Sequence, residues 1–241
     1  MANKGAVNHD GAFLLLAGAI MLMFAAISAP IINDIAMLEV KLTNGSYVKF
    51  GTFGHCITGT APIIVGKDYC SGRELGYSPL SVMTEISGAT YDEDDEEHVK
   101  RLTRAMILHP VGCGVAFLAF LFAIASAFFG SFIPTLLSAI AWLISLIVTA
   151  CDFAAFEMVK KKIKVDGSGN KAHLAIGIWM VLTAMLIMFM ATVVVLIAFF
   201  QGWRQQHDGA GAGEGGCKHT AGHVTTAAPP KRRFWQRSNL Y

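Results

Sequence analysis

Charged residues are scarce in this chain. Asp, Glu, Lys and Arg together make up 15% of its 241 residues, whereas soluble domains carry about 25%. The formal net charge of +2 is too small to indicate binding to nucleic acid. Cysteine is also sparse, with five residues, which excludes a disulfide-dense secreted scaffold and leaves room for one bridge. The composition therefore argues against an ordinary soluble fold.

Long apolar runs are what the sequence contains instead. Hydrophobic residues make up 54% of the chain, and the mean hydropathy is +0.51. A hydrocarbon core about 30 Å thick needs roughly 20 apolar residues in a helix. Runs of that length lie at 11–32, 105–129, 132–151 and 174–200. We therefore predict an all-α membrane protein built as a four-transmembrane-helix bundle.

These runs divide the chain into alternating spans and loops. The predicted segments are an N-terminus at 1–10, spans at 11–32, 105–129, 132–156 and 172–200, a long loop at 33–104, a turn at 130–131, a second loop at 157–171 and a disordered tail at 201–241. The loops hold more Lys and Arg than the termini, which by the positive-inside rule favours cytoplasmic loops. The first loop exceeds the length of about 60 residues over which that rule holds. A cysteine pair, a glycosylation sequon and the basic tail favour extracellular loops and cytoplasmic termini, which is the orientation that we adopt.

The long loop contains the stretch 47–77, which is neither uniformly apolar nor of low complexity. Before it, Asn44-Gly45 separates two runs rich in β-branched and aromatic residues, a pattern typical of a β-hairpin. We expect strands near 38–42 and 47–50 and a third near 52–57, forming a small extracellular β-sheet cap on the helices. Asn44 also begins the one N-glycosylation sequon of the chain, so it is either a glycosylation site or simply part of a turn.

Two polar residues fall near the loop-side ends of neighbouring predicted spans. Asp152 lies toward the end of the third span, where the insertion cost of a charge drops below the roughly 3 kcal/mol expected at the centre. A structural role and a proton or partner role are both open for it. His109, followed by Pro110, lies one turn into the second span. Because the two spans are antiparallel, we expect His109 to hydrogen-bond either the cap or Asp152.

Small residues recur at every fourth position in the second and third spans. Such rows let membrane helices approach closely, either within one bundle or between two copies. The rows are Ala119, Ala123 and Ala127 in one span and Ala141, Ser145 and Thr149 in the other.

Catalytic and metal-binding patterns are not recognisable. The sequence shows no nucleophile–base pair and no phosphate-binding loop, so we expect no enzyme and no cofactor. His207, Cys217, His219 and His223 lie in a Gly-rich tail without closed zinc-ligand spacing, so we expect no metal. The basic and aromatic end of that tail, KRRFWQR, is suited to contact with anionic membrane lipids.

A series of motifs resembles the fungal PalI family over roughly residues 12–200. They are SAPIINDI after the first span, FGTFGHC, CSGRELGY, LTRAMILHPVGCGVAFLAF at the second span, VTACDFAAF, and AIGIWMVLTAMLIMFMATVVVL in the fourth span. The broader group includes tetraspan proteins of fungal cortical membrane domains, and its architecture is claudin-like. The positions in this chain that carry the resemblance are Pro30, Gly51, Phe53, Gly54, Gly76, Tyr77, His109, Pro110, Asp152 and Trp179.

The resemblance implies a plasma-membrane accessory protein of ambient (alkaline) pH signalling. Members of the family assist a seven-helix sensor, PalH, in reaching or remaining in the plasma membrane. This chain has a shorter tail than many members, which puts any tail-borne function in doubt. The alternative that we carry is a structural tetraspan, which organises a cortical membrane domain, stabilises another membrane protein or assembles with copies of itself.

Three residues of the cap carry further hypotheses. Cys56 and Cys70 enclose a loop of about 15 residues, whose closure would stabilise the cap by roughly 3 kcal/mol in the chain-entropy model, and we predict that they are bonded. Cys113 and Cys151 lie in apolar helix and are expected to be free. His55 has an ordinary pKa near 6.5, so it is either a structural histidine or a group that changes charge with external pH.

Overall fold

The computed structural model describes residues 4–32, 34–59, 68–125 and 132–211, with side chains described from residue 10 to residue 204. Residues 1–204 form one compact unit, to which all the packing below belongs. The helices are α1 (Lys4–Ala26), α2 (Pro79–Ser87), α3 (Glu93–Arg104), α4 (Leu108–Ile124), α5 (Phe132–Val165) and α6 (Ile176–Gly211), with a 3₁₀ turn at Ala105–Ile107. The strands are β1 (Leu38–Lys41), β2 (Tyr47–Phe50), β3 (His55–Thr58), β4 (Tyr69–Cys70) and β5 (Lys171–Leu174).

Three helical segments of the described chain are long and apolar enough to cross a membrane. They are Glu93–Ile124, Phe132–Val165 and Ile176–Arg204, and Asp10–Ala26 is a shorter apolar helix. The predicted turn at 130–131 and most of the predicted tail, from residue 212 on, lie outside the described residues, while α6 continues to Gly211. The helices thus support the membrane-protein class, with a small antiparallel sheet beside them.

Small side chains fill the centre of the helix bundle. Ala119 and Ala123 of α4 and Ala141 of α5 are buried in one cluster with Ala12, Leu15 and Ala19 of α1 and Met188, Ala191 and Val195 of α6. Ser145 and Thr149 are also buried. Residues without large side chains let the backbones of membrane helices approach one another. The small-residue rows are therefore used inside this bundle, while Ala127 lies outside the described residues.

The cap is a five-stranded antiparallel sheet in the order β4-β3-β2-β1-β5. Across β1 and β2, Leu38 pairs with Phe50 and Val40 with Val48, and all four side chains are fully buried. Gly45 in the connecting turn has a φ of 87°, in the left-handed region that glycine adopts at little steric cost. The hairpin predicted from Asn44-Gly45 is therefore present, with an apolar face turned to the core.

The fifth strand was not expected from the sequence. The span predicted to begin at residue 172 begins at Ile176 instead, because Lys171–Leu174 pair with β1. The backbone pairing continues past the strand, since the Gly177 N–H donates to the Ala36 carbonyl at 2.8 Å. α5 also continues to Val165, through most of the predicted second loop. The sheet thus joins the chain that follows α1 to the chain that precedes α6.

Two helices complete the cap and connect it to α4. α2 begins after Ser78, whose hydroxyl accepts a hydrogen bond from the Ser81 N–H, and it ends at Gly88 in the left-handed conformation. α3 has four acidic residues in its first turn and two arginines in its last turn, as the helix dipole favours. An ion pair between Asp95 and Lys162 holds α3 against α5.

Candidate functional site

The turn after β2 docks on the end of α1. Gly51 lies so close to Ala29 that a Cβ atom at position 51 would overlap the Ala29 carbonyl group. The Gly51 N–H donates to the Gly54 carbonyl at 2.8 Å, which closes the turn. Gly54 in turn lies against Pro30 and the Ser71 hydroxyl. We call this contact between the turn and the end of α1 the cap–helix junction, and it explains why glycines flank Phe53.

Two buried hydroxyl groups complete the cap–helix junction. The Thr52 hydroxyl donates to the Ala25 carbonyl at 2.8 Å, and the Thr52 N–H donates to the Ser28 hydroxyl at 3.1 Å. Since Thr52 gives its hydroxyl proton to Ala25, the Ser28 hydroxyl donates in the 3.0 Å contact between the two side chains. The last carbonyls of a helix lack their usual partners within it, and the Ala25 carbonyl at the end of α1 accepts from both the Thr52 hydroxyl and the Ser28 N–H. Sequence reasoning missed both residues, although a threonine between two glycines was a usable signal.

Tyr77 ties the same junction to α3. Its hydroxyl donates to the Gly51 carbonyl at 2.7 Å, and its own carbonyl accepts from the Thr103 hydroxyl at 2.7 Å. Burial raises the pKa of Tyr77, so the phenol stays protonated and remains a donor. Gly76 beside it has a φ of 71° and leaves no room for a Cβ atom next to the Arg104 side chain. The motif residues Gly51, Gly76 and Tyr77 therefore all hold the cap–helix junction together and connect it to α3.

A disulfide between Cys56 and Cys70 joins β3 to the short strand β4. Cys113 and Cys151 form no disulfide, and the Cys113 thiol donates to the Ala19 carbonyl of α1. Among the described residues, no group of three or more His, Cys, Asp or Glu side chains is placed to hold a metal ion. The tail residues considered for zinc lie outside the described side chains.

A cleft of about 940 Å³ opens between β3, α2 and α3. Among the described residues its charged lining is mostly acidic, with Arg73 and Lys100 as permanent cations against Glu74, Glu85, Glu93, Glu96 and Glu97. His55 and Tyr77 also line it. Burial lowers the pKa of His55, and the negative charges of Glu85 and Glu74 oppose that shift. The described lining of this cleft therefore carries more negative than positive formal charge.

The possible glycosylation site Asn44 and two further motif residues, Pro110 and Trp179, lie apart from the cap–helix junction. Asn44 is exposed, and its side-chain oxygen accepts from the Ser46 N–H at 2.9 Å, as in an Asx turn. Pro110 is exposed in the first turn of α4. Trp179 is 53% exposed on α6 and meets Phe153 edge-on. Glycosylation of Asn44 and the roles of Pro110 and Trp179 stay predictions.

The contact expected between the second and third spans is present. His109 and Asp152 are both fully buried, and His109 Nε2 lies 3.1 Å from Asp152 Oδ2. His109 does not reach the cap with its other nitrogen, because Nδ1 lies 3.0 Å from the Met106 carbonyl in the 3₁₀ turn. The structure therefore brings together the two polar residues that the sequence placed at the ends of neighbouring helices.

Comparison with known proteins gives one family. A family model described as SUR7/PalI family matches residues 11–191, about three quarters of the chain. None of the curated proteins compared with the chain matches it. The match begins within α1 and includes the cap–helix junction, the disulfide, His109, Asp152 and the first part of α6, up to residue 191. The chain therefore belongs to the SUR7/PalI family.

Proposed function

We propose that this protein is a plasma-membrane tetraspan accessory of ambient (alkaline) pH signalling, which assists a seven-helix sensor of the PalH type. Membership of the SUR7/PalI family supports a membrane tetraspan protein. In the proposal, Asp10–Ala26 serves as the first span beside the three longer apolar helices. The cap lies outside the cell and both termini lie in the cytoplasm.

The observation that carries the proposal is the way in which the cap is fixed to the helices. At the cap–helix junction, Thr52 and Ser28 are buried and hydrogen-bonded, and Gly51 leaves no space beside Ala29. A partner that binds the cap therefore meets a surface whose position is set by the membrane helices. Fixed geometry of this kind suits a protein that supports another membrane protein laterally.

The cleft supplies a surface for such a partner. In the described part of the chain, five glutamates and two permanent cations line it, so its charge complements a basic segment on the extracellular side of a partner. Complementary charge raises the rate of encounter and selects against the wrong partners. The proposed contact therefore depends on the acidic lining and weakens as salt concentration rises.

Affinity purification of the tagged protein in gentle detergent, followed by mass spectrometry, tests the proposal. We expect one seven-helix membrane protein in near-equal amount. A double variant, Glu85→Lys with Glu93→Lys, reverses charge in the cleft and should lose that protein. The double variant Asp92→Lys with Asp94→Lys is the matched control, because it reverses the same number of charges at the start of α3 and neither residue lines the cleft. Equal recovery of the sensor with both variants would show that the cleft does not bind it.

A structural tetraspan is the second candidate. The helices turn large apolar side chains outward, among them Leu143, Ile147, Leu186 and Phe189, a surface suited to lipid and to lateral contacts between membrane proteins. Recovery of mostly the protein itself, together with proteins of a cortical lipid domain, would favour this function over the sensor accessory.

The proposed orientation of the protein in the membrane can be tested separately. Nothing lies within 4 Å of the Cβ position of Gly45 at the exposed tip of the hairpin, so an epitope inserted beside it is accessible to antibody. We expect antibody to bind this epitope on intact cells and to reach a C-terminal epitope only after the cells are permeabilised. The reverse pattern would place the cap in the cytoplasm and overturn the proposed orientation.

A further inference from the structure

The hydrogen bond to the Met106 carbonyl determines where His109 carries a proton. A carbonyl oxygen has no proton to donate, so His109 Nδ1, at 3.0 Å, must be the donor. In a neutral imidazole the other ring nitrogen then has a lone pair and only accepts. His109 Nε2 is buried and makes no other hydrogen bond within the described residues.

That nitrogen faces a carboxyl group. Asp152 Oδ2 lies 3.1 Å from it, and the Asp152 side chain is almost completely buried. Neither carboxyl oxygen accepts a hydrogen bond from any other group in the described part of the chain. An ionised carboxylate offers only lone pairs. Neutral His109 beside ionised Asp152 would therefore place lone pairs against each other, in a site from which water is excluded.

We propose that His109 and Asp152 form a buried site that binds a single proton, held between Nε2 and Oδ2. The proton makes either an imidazolium beside a carboxylate or a neutral imidazole beside a carboxylic acid. Both forms contain the same number of protons and have no net charge. A pair without net charge fits at the depth of apolar helices, where an isolated charge is costly.

The helices around this site contain few charged or titratable side chains that could interact with His109 or Asp152 in place of the shared proton. Positions 11–26 of α1 and 176–203 of α6 contain no charged or titratable side chain. On α4 and α5 the nearest such groups are Cys113, whose thiol points to the Ala19 carbonyl, and Cys151. The nearest charged residues along the chain are Arg104, before the 3₁₀ turn, and Glu157, further along α5. In the described chain, no neighbouring charged group therefore takes the place of the proton that His109 and Asp152 share.

The position of the site gives the proton a structural role. Met106 lies in the 3₁₀ turn that joins α3 of the cap to α4, and Asp152 lies on α5. The bound proton thus connects this turn, α4 and α5 in one chain of hydrogen-bonding groups. Its loss would replace attraction between α4 and α5 by repulsion at the point where the bundle meets the cap.

Spectroscopy on the full-length protein in lipid nanodiscs tests the inference. The sample carries ¹⁵N-histidine and ¹³C-aspartate and is measured at neutral pH. We expect either a His109 ring with both nitrogens protonated or a carboxylic-acid C=O stretch from Asp152, and each result identifies one form of the one-proton pair. A neutral His109 together with an ionised Asp152 would overturn the proposal.

One conservative variant assigns the signals. In Asp152→Asn, the amide N–H can donate to His109 Nε2 without any extra proton, so we expect the protein to stay folded, with a neutral His109 and without the acid band. Asp166→Asn is the control, since Asp166 lies just after α5, bonds Ser168 and Tyr91, and should leave both signals unchanged. An acid band or imidazolium signal that survives in Asp152→Asn would show that the proton lies elsewhere. The labelled wild-type sample decides the question if Asp152→Asn fails to fold.

Discussion

The hydroxyl of Tyr77 donates a buried hydrogen bond to the carbonyl of Gly51 at 2.7 Å. This contact joins the start of α2 to the turn that caps α1. Tyr77→Phe would leave the Gly51 carbonyl buried without this donor, which costs about 1–3 kcal/mol. We expect the melting temperature in detergent to fall by about 2–4 °C per kcal/mol lost. Tyr69→Phe, at an exposed position of β4, is the control and should melt like the wild type.

Gly51→Ala tests the close approach of the turn to α1. The added methyl group would overlap the Ala29 carbonyl, and forced overpacking of this kind costs about 1–3 kcal/mol or more. We expect a lower melting temperature and a reduced yield of folded protein. Gly72→Ala is the matched control, because nothing lies within 4 Å of its Cβ position. Equal stability of the two variants would contradict the tight junction.

Removal of the Cys56–Cys70 bond should destabilise the cap without disrupting the helices. The two cysteines are 14 residues apart, and closing a loop of about that length is worth about 3 kcal/mol in the chain-entropy model. We expect the double variant Cys56→Ser with Cys70→Ser to expose cap residues to protease at lower temperature than the wild type. Reducing agent should have the same effect on the wild type and none on the double variant. Mass spectrometry without reduction should recover a cross-linked peptide pair.

The cap should lose stability in acid through His55. Burial lowers its pKa in the folded protein, so the unfolded chain binds a proton more readily. The stability that the folded protein gains from neutral His55 is complete above the unfolded pKa of about 6.5. It is lost as pH falls through the lower folded pKa. We expect the melting temperature to decline below about pH 6.5, and the decline to be smaller in His55→Gln. His98→Gln, at an exposed position on α3, should keep the wild-type profile.

The sequence was informative where a local pattern has one physical meaning. Asn44-Gly45 predicted the hairpin because few other residues adopt a turn with positive φ, and β2 begins and ends at the expected residues, Tyr47 and Phe50. Helix direction placed His109 and Asp152 at neighbouring helix ends, and the structure selects Asp152 over the cap as the partner of His109. Strand β5 was missed because Lys171–Leu174 are too few and too polar to indicate a strand, and only their pairing with β1 makes them one.

The cap–helix junction was only partly predictable for a similar reason. Gly51 and Gly54 suggested a turn, but their role depends on the end of α1, more than 20 residues earlier in the chain. In the sequence, Ser28 falls in the predicted first span and Thr52 in the long loop, and no pattern links the two. Their burial and their hydrogen bonds become visible only when the turn is placed against Ala25.

The pairing of β1 with β5 has a consequence for binding. β1 follows α1 and β5 leads directly into α6, with Gly177 bonded to Ala36 beyond the end of the strands. The sheet therefore fixes the first and last helices of the bundle relative to each other and is itself preorganised. A partner that binds it imposes little loss of conformational entropy on this protein. The affinity then depends on how well the two surfaces match in shape and charge. Because the cap does not rearrange, it cannot adapt its surface to a poorly matched partner.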